Sequence, residues 1–145
     1  MGLFDKLKQF GDDKLNKQKE EGNLFLQENA KEPGVITLPG NIQYQILQPG
    51  TGRSPSVQST IKAHYKGSLL SGAEFDNSFK RGQPFVAPIS NLIRGWQQVL
   101  PLMQEGSTWK IWIPSDLAYG DRGAGGSIPG GATLVFEIEL IEIVS

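Results

Sequence analysis

The sequence predicts an α+β domain: a twisted antiparallel β-sheet wrapped on one short α-helix, preceded by a helical arm. Three observations predict it. Charge divides the chain, with residues 1–32 holding 13 of its 29 charged side chains. Beyond Val35, apolar residues alternate at period two in several segments, as in strands buried on one face. Between those segments one stretch, Ile89 to Met103, changes to helical spacing.

In chain order, Leu3, Phe4, Leu7 and Phe10 follow helical spacing, and Gly11-Asp12-Asp13 reads as a break with an N-cap for a second helix. That second helix is expected from about Lys14 to Ala30, ended by Pro33-Gly34. Its apolar positions are sparse: Leu15, Gly22, Phe25 and Leu26. Too polar to form a core alone, it packs on a partner chain, packs on the main domain, or stands in solvent.

Ile42 to Gln48 is strand-like and ends in the turn cluster Pro49-Gly50-Thr51-Gly52. From Val57 to Leu69, Ile61, Ala63 and Tyr65 share one face and Lys62, His64 and Lys66 the other, and Tyr65 is expected to end a strand. In the helical stretch, Leu92, Trp96, Val99 and Met103 lie on one face, and Pro101 limits the helix to about two turns. Trp109, Ile111 and Ile113 alternate with Lys110 and Trp112 up to Pro114. The longest strand is Thr133 to Val144, where Leu134, Phe136, Ile138 and Leu140 share a parity that flips at Ile141-Glu142-Ile143. A bulge or bend is expected there.

Composition narrows the function classes. A net charge of -1 gives no basic surface for nucleic acid. With no cysteine, disulfides and thiol catalysis are excluded, and His64 is the only imidazole, so neither a metal site nor a cofactor is expected. The apolar runs are too short to cross a bilayer. No secretory pattern opens the chain, and Lys6 stands where a myristoylation motif after Met1-Gly2 needs Ser or Thr, so a cytoplasmic location is expected.

The most unusual segment is a loop. Six of the chain's 18 glycines fall between Gly120 and Gly131, flanked by Tyr119 and by the strand carrying Phe136. Glycine loses more backbone freedom on folding than any other residue, so such a loop needs a purpose. A phosphate cradle is not indicated, because no Lys-Ser/Thr pair follows Gly123 to Gly126. Nor do Ser115, Asp116 and His64 make a hydrolase triad, since no nucleophile elbow is present and His64 sits on the outward parity as a surface histidine. What remains is a set of aromatics near loops, suited to an apolar binding cup.

The order of motifs resembles one family. Ala63-His64-Tyr65-Lys66-Gly67 resembles the V-H-Y-x-G strand of FKBP-type peptidyl-prolyl isomerases, and Glu74-Phe75-Asp76-Asn77-Ser78 their F-D-S-S segment. Arg81-Gly82-Gln83-Pro84-Phe85 is similar to R-G-x-P-F, and Leu92-Ile93-Arg94-Gly95-Trp96 to V-I-x-G-W. Ile113 to Gly120 resembles I-P-x-x-L-A-Y-G, and Ile128-Pro129 followed by Ala132-Thr133-Leu134-Val135-Phe136 resembles I-P-x-x-A-T-L-V-F. These six motifs cover about residues 35–145. The segments Gly22 to Lys31 and Gly34 to Tyr44 resemble the bacterial Mip-like branch, in which a helical N-terminal region precedes the isomerase domain and can pair two chains.

The resemblance implies a helical arm over 1–32, a candidate dimerisation element for a homodimer, and an isomerase domain over 33–145. It implies cis–trans isomerisation of Xaa-Pro bonds, with proline-containing peptides and unfolded protein clients as partners and tacrolimus and rapamycin as ligands. The alternative it leaves is a chaperone or binding adaptor of the same fold with little isomerase activity. Asp76, Trp96, Tyr119 and Phe136 fall in the catalytic group, with Trp96 as the pocket floor and Asp76 presenting a carboxylate at the rim. Tyr65, Phe75, Phe85, Leu92, Ile93 and Ile128 fall in the binding group. The Tyr119 hydroxyl and the Ile128 backbone amide are expected to hydrogen-bond the bound peptide. Two departures stand out: Ala87 replaces a frequent aromatic, thinning one wall, and Gly130-Gly131 replaces proline plus a polar residue, which predicts a looser loop.

Overall fold

The computed structural model describes the backbone of residues 3–145 and the side chains from residue 13 onward. The reading of Met1-Gly2, and that of the side chains of Leu3, Phe4, Leu7 and Phe10, therefore lie outside the described residues. The first element is a single helix, α1, Leu3–Asn29. The expected break at Gly11-Asp12-Asp13 does not occur. A glycine inside a helix costs only about 1 kcal/mol relative to alanine, which a helix anchored further along absorbs.

Seven antiparallel strands follow: β1 Ile36–Thr37, β2 Gln43–Gln48, β3 Thr60–Leu69, β4 Glu74–Asn77, β5 Phe85–Pro88, β6 Thr108–Ile113 and β7 Leu134–Ile143. They form one sheet in the order β1-β2-β6-β7-β3-β4, with β5 also on β3. β3 is the organising strand. One edge pairs with β7 along nearly its whole length, while the other pairs with β5 near Ala63 and with β4 near Gly67. The parity flip in the last strand is a bulge: Leu140 faces Ala63 and Glu142 faces Lys62, leaving Ile141 as the extra residue.

Two short helices complete the domain, α2 at Ser78–Arg81 and α3 at Arg94–Val99. The expected helix of about two turns is present as α3, and the chain on either side of it tightens into 3-10 turns at Ile89–Asn91 and Leu100–Leu102, the second containing Pro101. α3 lies against the face of the sheet carrying Trp109, Ile111, Ile113, Phe136 and Ile138, and together with Trp96, Val99, Leu100 and Met103 these make the core.

Helix α1 covers the opposite face. Its described residues Leu15, Gln18, Lys19, Gly22, Leu26 and Asn29 are the less exposed ones, and their spacing traces one helical stripe. Leu26 is fully buried. Gln43, only 1% exposed, ties the end of the helix to the sheet: its Nε2 donates to the Leu26 carbonyl at 2.7 Å and its Oε1 accepts from Asn29 Nδ2 at 2.8 Å. Trp112 pairs directly with Gln43 in the ladder, so it shares that face, and it is buried as well. Of the three environments open to this helix, it takes the main domain.

Candidate functional site

Between α3 and the sheet lies a cavity of about 300 Å³, lined by Tyr65, Phe75, Asp76, Phe85, Asn91, Leu92, Ile93, Trp96, Tyr119 and Phe136. That volume is at the low end of the ~300–1,000 Å³ typical of small-ligand clefts. Tyr65 and Phe136 come from the neighbouring strands β3 and β7, whose register sets Phe136 opposite Gly67, two residues beyond Tyr65. β4 and β5 supply Phe75 and Phe85, and α3 supplies Trp96.

Edge-to-face packing orders the rings around one centre. Trp96 meets Tyr65 at 5.2 Å, Phe136 at 5.2 Å and Phe85 at 5.8 Å between centroids, each near perpendicular. Phe75 meets Phe136 in the same way at 5.7 Å. In this geometry the positive ring edge of one residue faces the negative ring face of the next. Trp96 is 4% exposed, and its indole N–H has no hydrogen-bond partner among the described residues. The floor is therefore apolar and well packed, with one donor unspent.

Polar groups occupy the rim. Both oxygens of Asp76 are committed: Oδ2 accepts from the Tyr65 hydroxyl, and Oδ1 accepts from Arg81 and, at 2.9 Å, from the Asn77 amide. Burial alone would raise the Asp76 pKa. The Tyr65 and Arg81 hydrogen bonds, the Arg81 charge and the Asn77 amide outweigh it and hold the carboxyl below the usual carboxylate range. Tyr65 moves the other way, pushed up first by burial and then by its bond to Asp76. Helix α2 delivers Arg81, with Asn77 Oδ1 capping its start at Lys80 N, 3.1 Å.

Nine of the ten predicted residues line the cavity, and Ile128 does not. Ile128 is buried in the core, and its backbone amide already donates to the Ala124 carbonyl at 3.1 Å. The expectation that this amide would bind the peptide is corrected: the loop tip closes on itself as a short antiparallel pair, which consumes the donor. Ile93, by contrast, lines the cavity just before α3, and its amide donates to no protein group among the described residues. Tyr119 is 41% exposed, beside the opening.

Other readings change as well. Tyr65 sits in the middle of β3, not at its end. His64 is not a free surface histidine: its Nδ1 lies 2.8 Å from Ser78 Oγ, and its ring stacks on Phe79 at 4.6 Å. Ser78, fully buried, accepts from Tyr65 N at 2.7 Å and donates to the Tyr65 carbonyl at 3.2 Å, fixing the backbone that carries the Tyr65 ring. Arg81, Asn91 and Ser78 were not singled out by sequence. The Arg81-Gly82 and Asn77-Ser78 pairs inside the motifs carried that signal, and nothing comparable marks Asn91.

Comparison with known proteins agrees on one family. Residues 51–141 match the model of the FKBP-type peptidyl-prolyl cis-trans isomerase, and residues 2–46 match the domain amino-terminal to such isomerases. The chain is 45% identical over 124 residues, 86% of its length, to the FKBP-type 22 kDa peptidyl-prolyl cis-trans isomerase of Escherichia coli, covering 60% of that protein. It is 42% identical over 130 residues, 90% of its length, to the outer membrane protein MIP of Legionella longbeachae, covering 56% of it. The crystal structure of FkpA from Escherichia coli superposes with a TM-score of 0.89 at 35% identity over 94% of this chain and 63% of that one. The chain thus spans less than two thirds of the length of each of these relatives.

Proposed function

Because the chain belongs to the FKBP-type peptidyl-prolyl cis-trans isomerase family, in its bacterial Mip-like branch, we propose that it accelerates rotation about Xaa-Pro bonds in peptides and folding proteins. The observation that carries this reading is the character of the cavity. Four perpendicular aromatic contacts surround it, and its one carboxylate is fully occupied by Tyr65, Arg81 and Asn77.

Such a site suits a reaction in which no covalent bond breaks. The barrier to peptide rotation is about 18–20 kcal/mol, because resonance gives the C–N bond partial double character. At the top of that barrier the nitrogen lone pair no longer feeds the carbonyl, and the amide is less polar than in either planar form. An apolar, water-poor cup therefore binds the twisted state better than the ground state, and this difference is the catalysis. A thousandfold acceleration needs about 4 kcal/mol of such preference.

In this reading Trp96 supports the proline ring, and Tyr65, Phe75, Phe85 and Phe136 wall it in. The free Ile93 amide and the Tyr119 hydroxyl hold substrate carbonyls and fix which part of the peptide rotates. Asp76, charged and paired with Arg81, sets the field at the rim and takes no proton. Partners follow as proposals: proline-containing peptides, unfolded clients, and tacrolimus and rapamycin as inhibitors. Pairing of two chains through α1 is a further proposal, supported by Leu24 and Phe25, exposed on that helix. Sedimentation at the monomer mass would remove it.

The central test is NMR exchange on a Phe-Pro or Leu-Pro peptide. The full chain is expected to speed cis–trans exchange, and tacrolimus or rapamycin to suppress that increase. Binding of the peptide without faster exchange would leave an adaptor in place of an isomerase.

A further inference from the structure

The double glycine at 130–131, expected to loosen the loop, is instead where helix α1 rests on it. Gly131 is buried and has φ +79, a conformation that side chains other than glycine's rarely adopt. A Cβ there would lie 2.9 Å from Leu15 Cδ1, 3.1 Å from the Leu15 carbonyl oxygen and 3.1 Å from Lys19 Cγ. At Gly130 a Cβ would collide with the Asp121 carbonyl oxygen at 2.0 Å, so the two stems of the loop touch only because the residue is glycine. Higher on the helix, Gly22 brings the backbone onto Thr133, whose Oγ1 would lie 2.3 Å from a Cβ.

Charge reinforces the same contact. Lys19 Nζ lies 2.8 Å from Asp121 Oδ1, a pair exposed at 40% and 61% and so weak by itself. From there the path to the cavity is short. The Gly131 amide donates to the Gly120 carbonyl at 2.9 Å, the Gly120 amide donates to the Ser115 carbonyl at 2.7 Å, and Tyr119, which lines the cavity, immediately precedes Gly120.

We propose that helix α1 is a positioning element for the cavity: Leu15 and Lys19 brace both stems of the glycine loop and thereby hold Tyr119 at the opening. The reading of Tyr119 as a substrate contact rests on the isomerase assignment above; the brace itself does not. Leu15 and Lys19 are positioning residues, since neither lines the cavity. The double glycine is then a seat, and its cost in chain entropy is offset by the helix that covers it.

The test uses the full chain carrying Leu15→Ala together with Lys19→Ala. A control, Lys17→Ala, removes a side chain exposed elsewhere on the same helix. Amide hydrogen exchange is read at Gly120, Gly123, Gly131 and Ile128 in the loop and at Ile61 and Ile138 in the sheet. In the double variant the loop amides are expected to exchange at least tenfold faster with the sheet amides unchanged. The KM for a Leu-Pro peptide should rise threefold or more, with a smaller change in kcat. The control should match the parent, and the swapped pair Lys19→Asp with Asp121→Lys should lie closer to the parent than Lys19→Asp alone. Loop exchange and KM within twofold of the parent would overturn the brace, as would equal acceleration of sheet and loop amides, the mark of a merely global loss of stability. If the parent chain proves inactive, the isomerase reading falls, and the exchange ratio between loop and sheet still decides the brace.

Discussion

Asp76 and Ser78, two residues apart, organise the site from opposite ends. Asp76 locks the Tyr65 hydroxyl and Arg81 at the rim, while Ser78 holds the Tyr65 backbone beneath. Both act on Tyr65, whose ring packs edge-to-face with Trp96 and Phe85. The ring at greatest risk is Phe136, 3% exposed and in contact with Tyr65, Phe75 and Trp96. Phe136→Ala removes a ring from the cavity wall and is expected to destabilise the fold by about 3–5 kcal/mol. At a temperature where the variant is still folded, kcat/KM should fall at least tenfold. His64→Ala loses the stack on Phe79 and the contact with Ser78, yet leaves Ser78 its two bonds to Tyr65, so kcat/KM should stay within twofold. Measuring both by peptide exchange checks the assignment, and the opposite ranking would refute it.

Among the elements, α1 makes the clearest demand on experiment, because its removal takes Leu26 out of the fold and uncovers Gln43 and the sheet face that Gln43 shares with Trp112. A chain beginning at Val35 should lose on the order of 3 kcal/mol, from the burial of Leu26 and part of Trp112. Its tryptophan emission should shift to the red as Trp112, now 4% exposed, meets water. Equal denaturation midpoints and equal spectra for the two chains would mean that the helix does not pack there. The long elements were legible from sequence because their signals are periodic: β7 showed both its buried parity and its bulge at Ile141. β1, β4 and β5, of two to four residues, are too short to show a period. What sequence reading missed depends on partners far along the chain. Ser78 reaches His64 across 14 residues, Gln43 reaches Leu26 across 17, and the loop seats a helix more than a hundred residues earlier. Gly130-Gly131 reads as freedom in the sequence because composition reports what glycine permits, not what occupies the space it leaves.

At the scale of the whole molecule, three carboxylates among the described residues have pKa values held below their ordinary range, and each fastens a different part. Asp76 fixes the cavity rim. Glu74 is lowered by its hydrogen bonds to Lys80 and Asn77, securing α2 against β4. Glu105 is lowered by the amides of Ile143, at 2.8 Å, and Arg53, at 3.2 Å, joining the end of β7 to the turn after β2. A carboxylate with a depressed folded-state value binds fewer protons folded than unfolded over the interval between the two values. Its stabilisation is complete above the unfolded value, about 3.9 for Asp and 4.3 for Glu, and is lost as pH falls through the lower, folded one. Stability should therefore be flat from about pH 8 to about 5 as far as these groups decide it, and should decline below about pH 4. Asp76→Asn and Glu105→Gln should each lower the neutral plateau and flatten the acid limb, which urea midpoints measured from pH 2 to 7 can read. Catalysis should respond differently, because between pH 5 and 8 Asp76 stays charged and Tyr65 stays neutral. The rate at which the folded chain turns over a Leu-Pro peptide should then show no bell across that range. A bell-shaped profile lost in Asp76→Asn would instead require proton transfer at the rim, and with it a mechanism other than binding the twisted amide.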